Sequence, residues 1–150
     1  MSIETILKIK SPISQAKRTV VQILYAGEFF RDQLNGRLKP FNLTSQQYNV
    51  LRILRGQKGN PATLSIIQER MINKNSNTTR LIDKLVDKKL VSRKVDLENR
   101  RKLKITITKK GLKTLLNIDP KVDDFESKAT YNLTNKELKN LNKLLDKLIF

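Results

Sequence analysis

Four side chains between residues 75 and 111 have the chemistry to contact a nucleic acid. Asn77 and Arg80 are of the types that bond adenine and guanine edges bidentately in a major groove. Both lie near the front of a predicted helix, where contact with bases is geometrically feasible. Arg100 and Arg101 fall in a predicted turn, and arginine suits a narrow minor groove because the negative potential is enhanced there. The residue types and their spacing predict an interface for double-stranded DNA.

The elements that would position these residues are two short helices and a hairpin. Thr63 predicts the cap of a first helix, residues 73–77 form a polar turn, and a second helix is predicted from about Ser76 to Lys88. Val91–Val95 and Leu103–Ile107 hold alternating or β-branched residues around a polar segment, which predicts a β-hairpin. A helix-turn-helix followed by a basic hairpin is the layout of a winged helix.

A long helix is predicted near the N-terminus. Ser11 and Pro12 have the residue types of a cap and a first helical position, and Gly36 is the predicted end. The helix would have about 24 residues and span about 36 Å. That length favours a dimerisation element, with a long core helix in a monomer as the alternative.

Three more helix starts are predicted by threonine caps. Residues 44–47 (TSQQ) and 134–137 (TNKE) are capping boxes, and Thr108 precedes a further helix. Pro120, after Asp119, predicts a kink or a restart of that helix. The last helix carries an apolar stripe that needs a covering partner; its members are Leu138, Leu141, Leu145 and Leu148.

Charge is concentrated in one part of the chain. The 150 residues carry a net charge of +17, and residues 74–104 hold 11 basic against 4 acidic residues. Residues 105–150 hold 9 against 6. This distribution favours a polyanion partner over the alternative that lysine-rich faces merely confer solubility. Nucleic acid is favoured over membrane because no apolar run approaches the ~18 residues of a transmembrane helix.

The absence of two residue types excludes several classes of function. The chain contains no Cys and no His, which rules out disulfides, thiol redox sensing and His-dependent triads and removes the usual zinc ligands. We expect no enzymatic activity, because the paired carboxylates of Asp123 and Asp124 have no neighbouring group that would adapt them for catalysis. We also expect no cofactor and no metal. The first 14 residues have scattered charges and no cleavage-like site, which predicts cytoplasmic residence.

The chain resembles the multiple-antibiotic-resistance regulator (MarR) family of winged-helix transcription factors. The resemblance covers nearly the whole chain in the order of its elements. It is sharpest from residues 43–48 (LTSQQY) through Leu51 and at residues 77–85 (NTTRLIDKL). Residues 93–101 (RKVDLENRR), followed by 105–111 (ITITKKG), look like the family's wing signature, and residues 133–138 (LTNKEL) also fit. Two positions depart from the family pattern. Lys89 stands where Gly usually ends the recognition helix, at a cost of ~1 kcal/mol or more, and Asn99 stands where the wing usually has an acid.

The resemblance implies a mostly α, α+β winged-helix fold of about six helices with a two- or three-stranded wing. We expect a single domain over residues 1–150, with a DNA-binding lobe at about 40–110 and dimerisation helices at about 11–36 and 109–150. It further implies a homodimer on a pseudo-palindromic operator, with one helix in the major groove and the wing tip in a minor groove. The candidate DNA-contacting residues are Ser76, Asn77, Thr79, Arg80, Lys84, Asp96, Arg100 and Arg101.

Some roles within this prediction stay open. Lys84 is better placed for a phosphate than for a base, and Asp96 would orient one of the wing arginines. The alternatives are a salt bridge from Arg80 to Asp83 or Asp87, and a solvated turn at the wing tip. The predicted function is a DNA-binding regulator, in the first place a repressor. The alternatives are a constitutive nucleoid protein without effector and an adaptor that binds an acidic protein surface.

A small aromatic or anionic effector and regulation by expression level alone both stay open. The resemblance implies that an effector would bind between the dimer helices and the DNA-binding lobes and loosen the grip on DNA. Four cations are candidates to pair with an anion: Lys17, Arg18, Arg31 and Arg52. Four aromatic residues are predicted to be core rather than cleft lining: Tyr25, Phe29, Phe30 and Tyr48.

Overall fold

The computed structural model describes residues 2–96 and 103–149. Contacts between Cα atoms divide the chain into two compact units, residues 1–45 and residues 46–150. The described residues form seven α-helices, one 3-10 turn and a two-stranded antiparallel sheet. The mostly helical winged-helix fold expected from the sequence is therefore confirmed.

The first unit consists of α1 (Ile3–Ile6), α2 (Gln15–Leu38) and a 3-10 turn (Lys39–Phe41). Helix α1 is held to α2 by an ion pair in which Arg18 Nε donates to Glu4 Oε1 at 2.7 Å. Of the 24 residues of α2, Leu38 alone is buried.

The predicted ends of this long helix are wrong, although its predicted length is confirmed. Ser14, not Ser11, is the cap, and its side chain accepts a hydrogen bond from Lys17 N at 3.2 Å. Gly36 does not end the helix, which continues to Leu38; the left-handed residue that follows the 3-10 turn is Asn42, at φ 54°. Glycine weakens a helix without breaking it, so the single Gly36 was a poor stop signal.

The aromatic residues of α2 were also assigned incorrectly. Tyr25, Phe29 and Phe30 are exposed by 40%, 47% and 42%, whereas Tyr48 is buried as predicted. The rings of Phe29 and Phe30 contact each other edge to face, with centroids 5.7 Å apart. Helix α2 therefore presents exposed apolar side chains in the described part of the chain.

The second unit contains the remaining elements, of which α3 begins at its boundary. They are α3 (Ser45–Gly56), α4 (Leu64–Arg70), α5 (Thr78–Asp87), β1 (Val91–Val95), β2 (Leu103–Ile107), α6 (Lys109–Thr130) and α7 (Asn135–Ile149). Both strands have the predicted bounds, and Val91 pairs with Ile107 at the base of the hairpin. The fully buried side chains of this unit include Leu51, Leu54, Ile67, Met71, Ile82, Leu85, Ile105, Leu115 and Ile118.

A third segment joins the base of the hairpin. Ala62, in the loop before α4, exchanges two backbone hydrogen bonds of 2.9 Å with Ile105 of β2. Ala62 and Ile105 are both fully buried. The hairpin is thereby anchored to the helix-turn-helix through backbone as well as side chains.

Helix α6 passes through Pro120 without interruption, so the predicted restart at residues 119–120 is wrong. The predicted cap is confirmed, since Gly111 N donates to Thr108 Oγ1 at 3.0 Å. Proline removes one helical hydrogen bond, and the burial of Leu115, Ile118 and Val122 on either side of it holds the helix together.

Helix α7 opens with the predicted capping box. Thr134 N donates to Glu137 Oε2 at 2.8 Å, and Glu137 N donates to Thr134 Oγ1 at 3.3 Å. The hydrogen bond from the Thr134 backbone lowers the pKa of Glu137. No residue of α7 is buried, and Leu144 and Leu148 are exposed by 57% and 58%. None of the described helices combines the length and apolar character needed to cross a bilayer.

Candidate nucleic-acid interface

Helix α5 divides into a buried face and a polar face. Ile82 and Leu85 are fully buried, whereas Thr79, Arg80 and Lys84 are exposed. Arg80 and Lys84 lie one turn apart, so their cationic groups project from the same side of the helix. Neither residue forms an ion pair with any part of the chain that the structure describes. The structure thus brings together three of the predicted contact residues on one exposed surface.

The two residues before α5 are placed differently from these three. The helix begins at Thr78, and Asn77 is its cap: Asn77 Oδ1 accepts a hydrogen bond from Arg80 N at 3.0 Å. That bond occupies the side-chain oxygen and leaves the amide N–H groups of Asn77 as donors. The hydroxyl of Ser76 is buried and has no hydrogen-bond partner among the described residues. A base or phosphate contact from Ser76 would therefore require its side chain to turn outward.

A glutamine that the sequence interpretation missed braces the turn before α5. Gln68 Oε1 accepts a hydrogen bond from the Thr78 hydroxyl, and Gln68 Nε2 donates to the Lys74 carbonyl at 2.6 Å. Asn49 Oδ1, on α3, accepts from Ile72 N at 2.9 Å. One signal was available in the sequence: Gln68 follows Ile67 and precedes Met71 by three residues, which places a polar side chain on the inward face of α4.

Lys89, which stands where the family usually has Gly, lies at the end of α5. This residue adopts the left-handed conformation, with φ 60°. Leu90 N donates to Leu85 O at 3.0 Å and Lys89 N donates to Val86 O at 2.8 Å, which is the hydrogen-bond pattern of a Schellman motif. Lysine therefore occupies the position that glycine adopts at lower cost.

Groups from α6 stabilise the same helix end. Thr108 Oγ1 donates to the Lys89 carbonyl at 2.8 Å, and Lys110 Nζ donates to the Lys88 carbonyl at 2.9 Å. Lys88 Nζ in turn donates to Gln47 Oε1 at 3.2 Å. Partial burial lowers the pKa of Lys88, and the positive charge of Lys84 adds to this lowering. The Lys110 ammonium at the carbonyl end of α5 thus complements the negative partial charge of that end.

Two ion pairs organise the described part of the hairpin. Arg93 of β1 binds the Asp83 carboxylate of α5, which ties the strand to the helix and leaves Asp83 engaged away from Arg80. Lys104 Nζ lies 3.1 Å from Asp96 Oδ1, and the Asp96 side chain is only 14% exposed. Arg100 and Arg101 lie outside the described residues, so their predicted contacts, and the predicted orienting role of Asp96 toward one of them, stay predictions.

A cavity of about 280 Å³ lies between α3 and α6. Its lining residues are Tyr48, Arg52, Arg55, Asp119, Val122, Asp123 and Glu126. Arg55 Nη1 binds Asp119 Oδ2 at 2.6 Å, and this hydrogen bond raises the pKa of Arg55. The Arg52 guanidinium carbon lies 5.8 Å from the centroid of the Tyr48 ring, and burial raises the pKa of the Tyr48 phenol. The acids of the described residues do not group into a metal site.

Comparisons with known proteins agree with this geometry. Residues 43–103 match the model of the MarR family. The sequence matches no curated protein. A putative MarR-like transcription regulator from Bacillus cereus is 22% identical, with a TM-score of 0.80 over 89% of this chain and 94% of that one. A MarR variant from E. coli complexed with operator DNA is 23% identical, with a TM-score of 0.79 over 93% and 100%.

A third solved structure has the same fold with a small molecule bound. It is an organohalide-sensing transcriptional regulator in its 2,4-dichlorophenol-bound form, 17% identical, with a TM-score of 0.82 over 93% of this chain and 85% of that one. These likenesses establish the fold, and the family match covers the helix-turn-helix and the first strand of the hairpin. Residues 43–103 are the segment of this chain that is similar to the MarR family.

Proposed function

We propose that the protein is a sequence-specific DNA-binding transcriptional regulator, with α5 in the major groove and the wing against an adjacent minor groove. The division of α5 carries this proposal. Ile82 and Leu85 fix the helix to the core, while Arg80 and Lys84 are exposed without an ion-pair partner among the described residues. A helix held in this way presents cations to phosphates and base edges. The E. coli MarR variant that shares the fold was solved in complex with operator DNA, which supports DNA as the partner.

The regulator would act as a homodimer on a pseudo-palindromic operator. Helix α2 exposes Val20, Leu24 and Phe29, and α7 exposes Leu144 and Leu148. Apolar faces of this kind normally mark a protein interface. A two-fold dimer would place its half-sites about one helical turn of DNA apart. Occupation of an operator within a promoter would repress transcription, and a reporter gene behind the selected site tests the sign of regulation.

Selection of bound genomic fragments at moderate salt tests the proposed DNA binding. We expect enrichment of one short inverted repeat. If each half-site neutralises about four phosphates, affinity should fall roughly 10³-fold or more between roughly 50 and 200 mM salt. Fragments without a shared sequence, bound equally well against competitor DNA, would overturn the proposal. They would support a constitutive nucleoid protein instead, which the net charge of +17 would suit.

The wing is tested by single substitutions at its two arginines. Arg100→Ala or Arg101→Ala should weaken operator binding by at least about tenfold. Fluorescence anisotropy measures the affinity, and circular dichroism checks that the fold is intact. Lys136→Ala, at the exposed start of α7, is the matched loss of one charge elsewhere. Unchanged operator affinity in both arginine variants would contradict the wing contact.

The cavity between α3 and α6 is the proposed effector site. Arg52 has no acidic partner among the described residues, and its guanidinium lies over the Tyr48 ring. A cation beside an aromatic face suits an aromatic ligand. A neutral one is favoured, because Asp119, Asp123 and Glu126 line the same cavity and would repel a carboxylate. The organohalide-sensing regulator that shares this fold was solved with 2,4-dichlorophenol bound, which supports an aromatic ligand. A ligand here would contact α3, which carries Asn49 and, through it, the turn before α5.

Thermal denaturation with a panel of phenols and other neutral aromatic compounds tests this site. A ligand should raise the melting temperature of the wild type, release operator DNA, and do neither in Arg52→Ala. Arg31→Ala is the control, since Arg31 pairs with Glu28 on α2. Release of DNA that persists in Arg52→Ala would place the effector elsewhere.

A further inference from the structure

We propose that Gln68 is a positioning residue for DNA recognition. It fixes the turn between α4 and α5, so that its loss should reduce the preference for the operator more than the general affinity for DNA. This inference rests on the proposed function and names a residue that need not touch DNA.

Few apolar side chains hold the turn between α4 and α5 in place. Met71, at its start, is 1% exposed, but Ile72 is 86% exposed. Residues 73–77 (NKNSN) are all polar. Apolar packing therefore ends at Met71 and resumes only at α5, and the path between them depends on hydrogen bonds.

Gln68 supplies hydrogen bonds at two points along this path. Its Nε2 donates to the Lys74 carbonyl at 2.6 Å in the middle of the turn, and its Oε1 accepts from the Thr78 hydroxyl at the first residue of α5. Thr78 is only 5% exposed. Because a buried hydroxyl without a partner is unfavourable, this second bond specifies how the start of α5 meets α4.

Other side-chain bonds hold the turn or the start of α5, but each reaches only one of them. Asn49 of α3 binds Ile72 N, and Lys74 Nζ donates to the Glu69 carbonyl of α4. Asn77 caps α5 through Arg80 N. Among the described side chains, that of Gln68 bonds both the turn and the first residue of α5.

Contacts with base edges depend more strongly on the position of α5 than contacts with phosphates do. Arg80 lies two residues after Thr78, and Lys84 lies one turn beyond Arg80. Bidentate bonds to a base edge require donor–acceptor distances of about 2.7–3.2 Å and good alignment. The electrostatic attraction of lysines to the phosphate backbone tolerates small displacements and is independent of sequence. A loosened α5 should therefore lose selectivity first.

The experiment is a double-mutant cycle with Gln68→Met, Thr78→Val and the double variant. Methionine keeps the length of the side chain and removes both polar atoms, and valine keeps the shape of threonine without its hydroxyl. Thr114→Val is the matched control, because the Thr114 hydroxyl bonds only the carbonyl four residues earlier in α6. Affinities are measured for the selected operator and for an unrelated duplex of equal length. Amide hydrogen exchange is measured over residues 72–78.

We expect each single variant to lose about tenfold in operator affinity, and the double variant to lose little more. Affinity for the unrelated duplex should stay within about twofold, since the phosphate contacts persist. Exchange in the turn should be faster in all three variants and unchanged in Thr114→Val.

Other results would overturn the inference. Faster exchange with an unchanged ratio of operator to unrelated affinity would mean that Gln68 is structural only. Losses that multiply in the double variant would show that Gln68 and Thr78 act independently. A wild type that prefers no duplex would overturn the proposed function, and this inference with it, whereas a selective wild type matched by Gln68→Met would overturn the inference alone.

Discussion

The winged-helix segment and the two long end helices use apolar residues in opposite ways. In the winged helix, Ile67, Ile82 and Ile105 are fully buried by neighbouring elements. Helix α2 buries a single residue of 24, and α7 buries none. The difference indicates that the winged helix completes its own core, whereas α2 and α7 carry apolar faces whose burial requires a further surface. At roughly 25 cal/mol per Å² of apolar area buried, covering these faces would favour the proposed association of subunits.

The largest expected effect breaks the association of subunits. Leu144→Lys combined with Leu148→Lys would place unpaired charges in the proposed dimer interface, at a cost of at least about 3 kcal/mol of association free energy. Sedimentation velocity should show monomers where the wild type is dimeric. Asp146→Lys, on the face of α7 opposite Leu144 and Leu148, should leave the dimer intact. A wild-type protein that stays monomeric at every concentration would contradict the proposed dimer.

A substitution in the winged-helix core should act within one subunit. Ile82 is fully buried, and Ile82→Ala should destabilise the fold by about 2–5 kcal/mol because it leaves a cavity. Urea denaturation should give the same loss at every protein concentration. Leu24→Ala, at an exposed position of α2, is the counterpart, and its effect should disappear on dilution to monomer. Equal, concentration-independent losses would mean that both regions belong to one intramolecular core.

Gly111, at the start of α6, and Gly36, in α2, differ in the space around them. A Cβ atom on Gly111 would lie 2.3 Å from the Leu90 carbonyl oxygen and 2.7 Å from Ile107 Cγ1, whereas one on Gly36 would meet nothing within 4 Å. Gly111→Ala should therefore destabilise the protein by about 1–3 kcal/mol. Gly36→Ala should stabilise it by roughly 0.5–1 kcal/mol, since alanine is the better helix former. Thermal denaturation measures whether each substitution stabilises or destabilises the protein. A Gly111→Ala variant as stable as the wild type would show that α6 can move away from Leu90.

A further small effect is expected at the end of α5. Lys89 has φ 60°, so Lys89→Gly should stabilise the fold by about 1 kcal/mol. Lys89→Ala removes the same charge but keeps the unfavourable conformation, and it should show no such gain. Denaturation at low and high salt separates strain from charge repulsion. Equal stability of the glycine and alanine variants would show that the left-handed residue costs little here.

Local patterns determined much of this protein from sequence alone. The caps at Thr63, Thr108 and Thr134 were predicted because each bond joins residues three apart. The bounds of β1 and β2 followed from alternating apolar residues around a charged segment. The exposure of Arg80 and Lys84 followed from the helical period of the apolar residues opposite them. Such signals need no knowledge of what packs against the segment.

Interactions between distant segments decided the rest. The continuation of α6 through Pro120 depends on the burial of flanking residues, and the hydroxyl of Ser76 is buried by packing that no local pattern encodes. The bonds of Gln68 span six and ten residues, and the ion pair of Asp83 with Arg93 joins a helix to a strand. Each such contact exists only after two elements have docked, because docking sets the distances between their side chains. The sequence alone therefore located the candidate interface, and the tertiary structure decided how it is held in place.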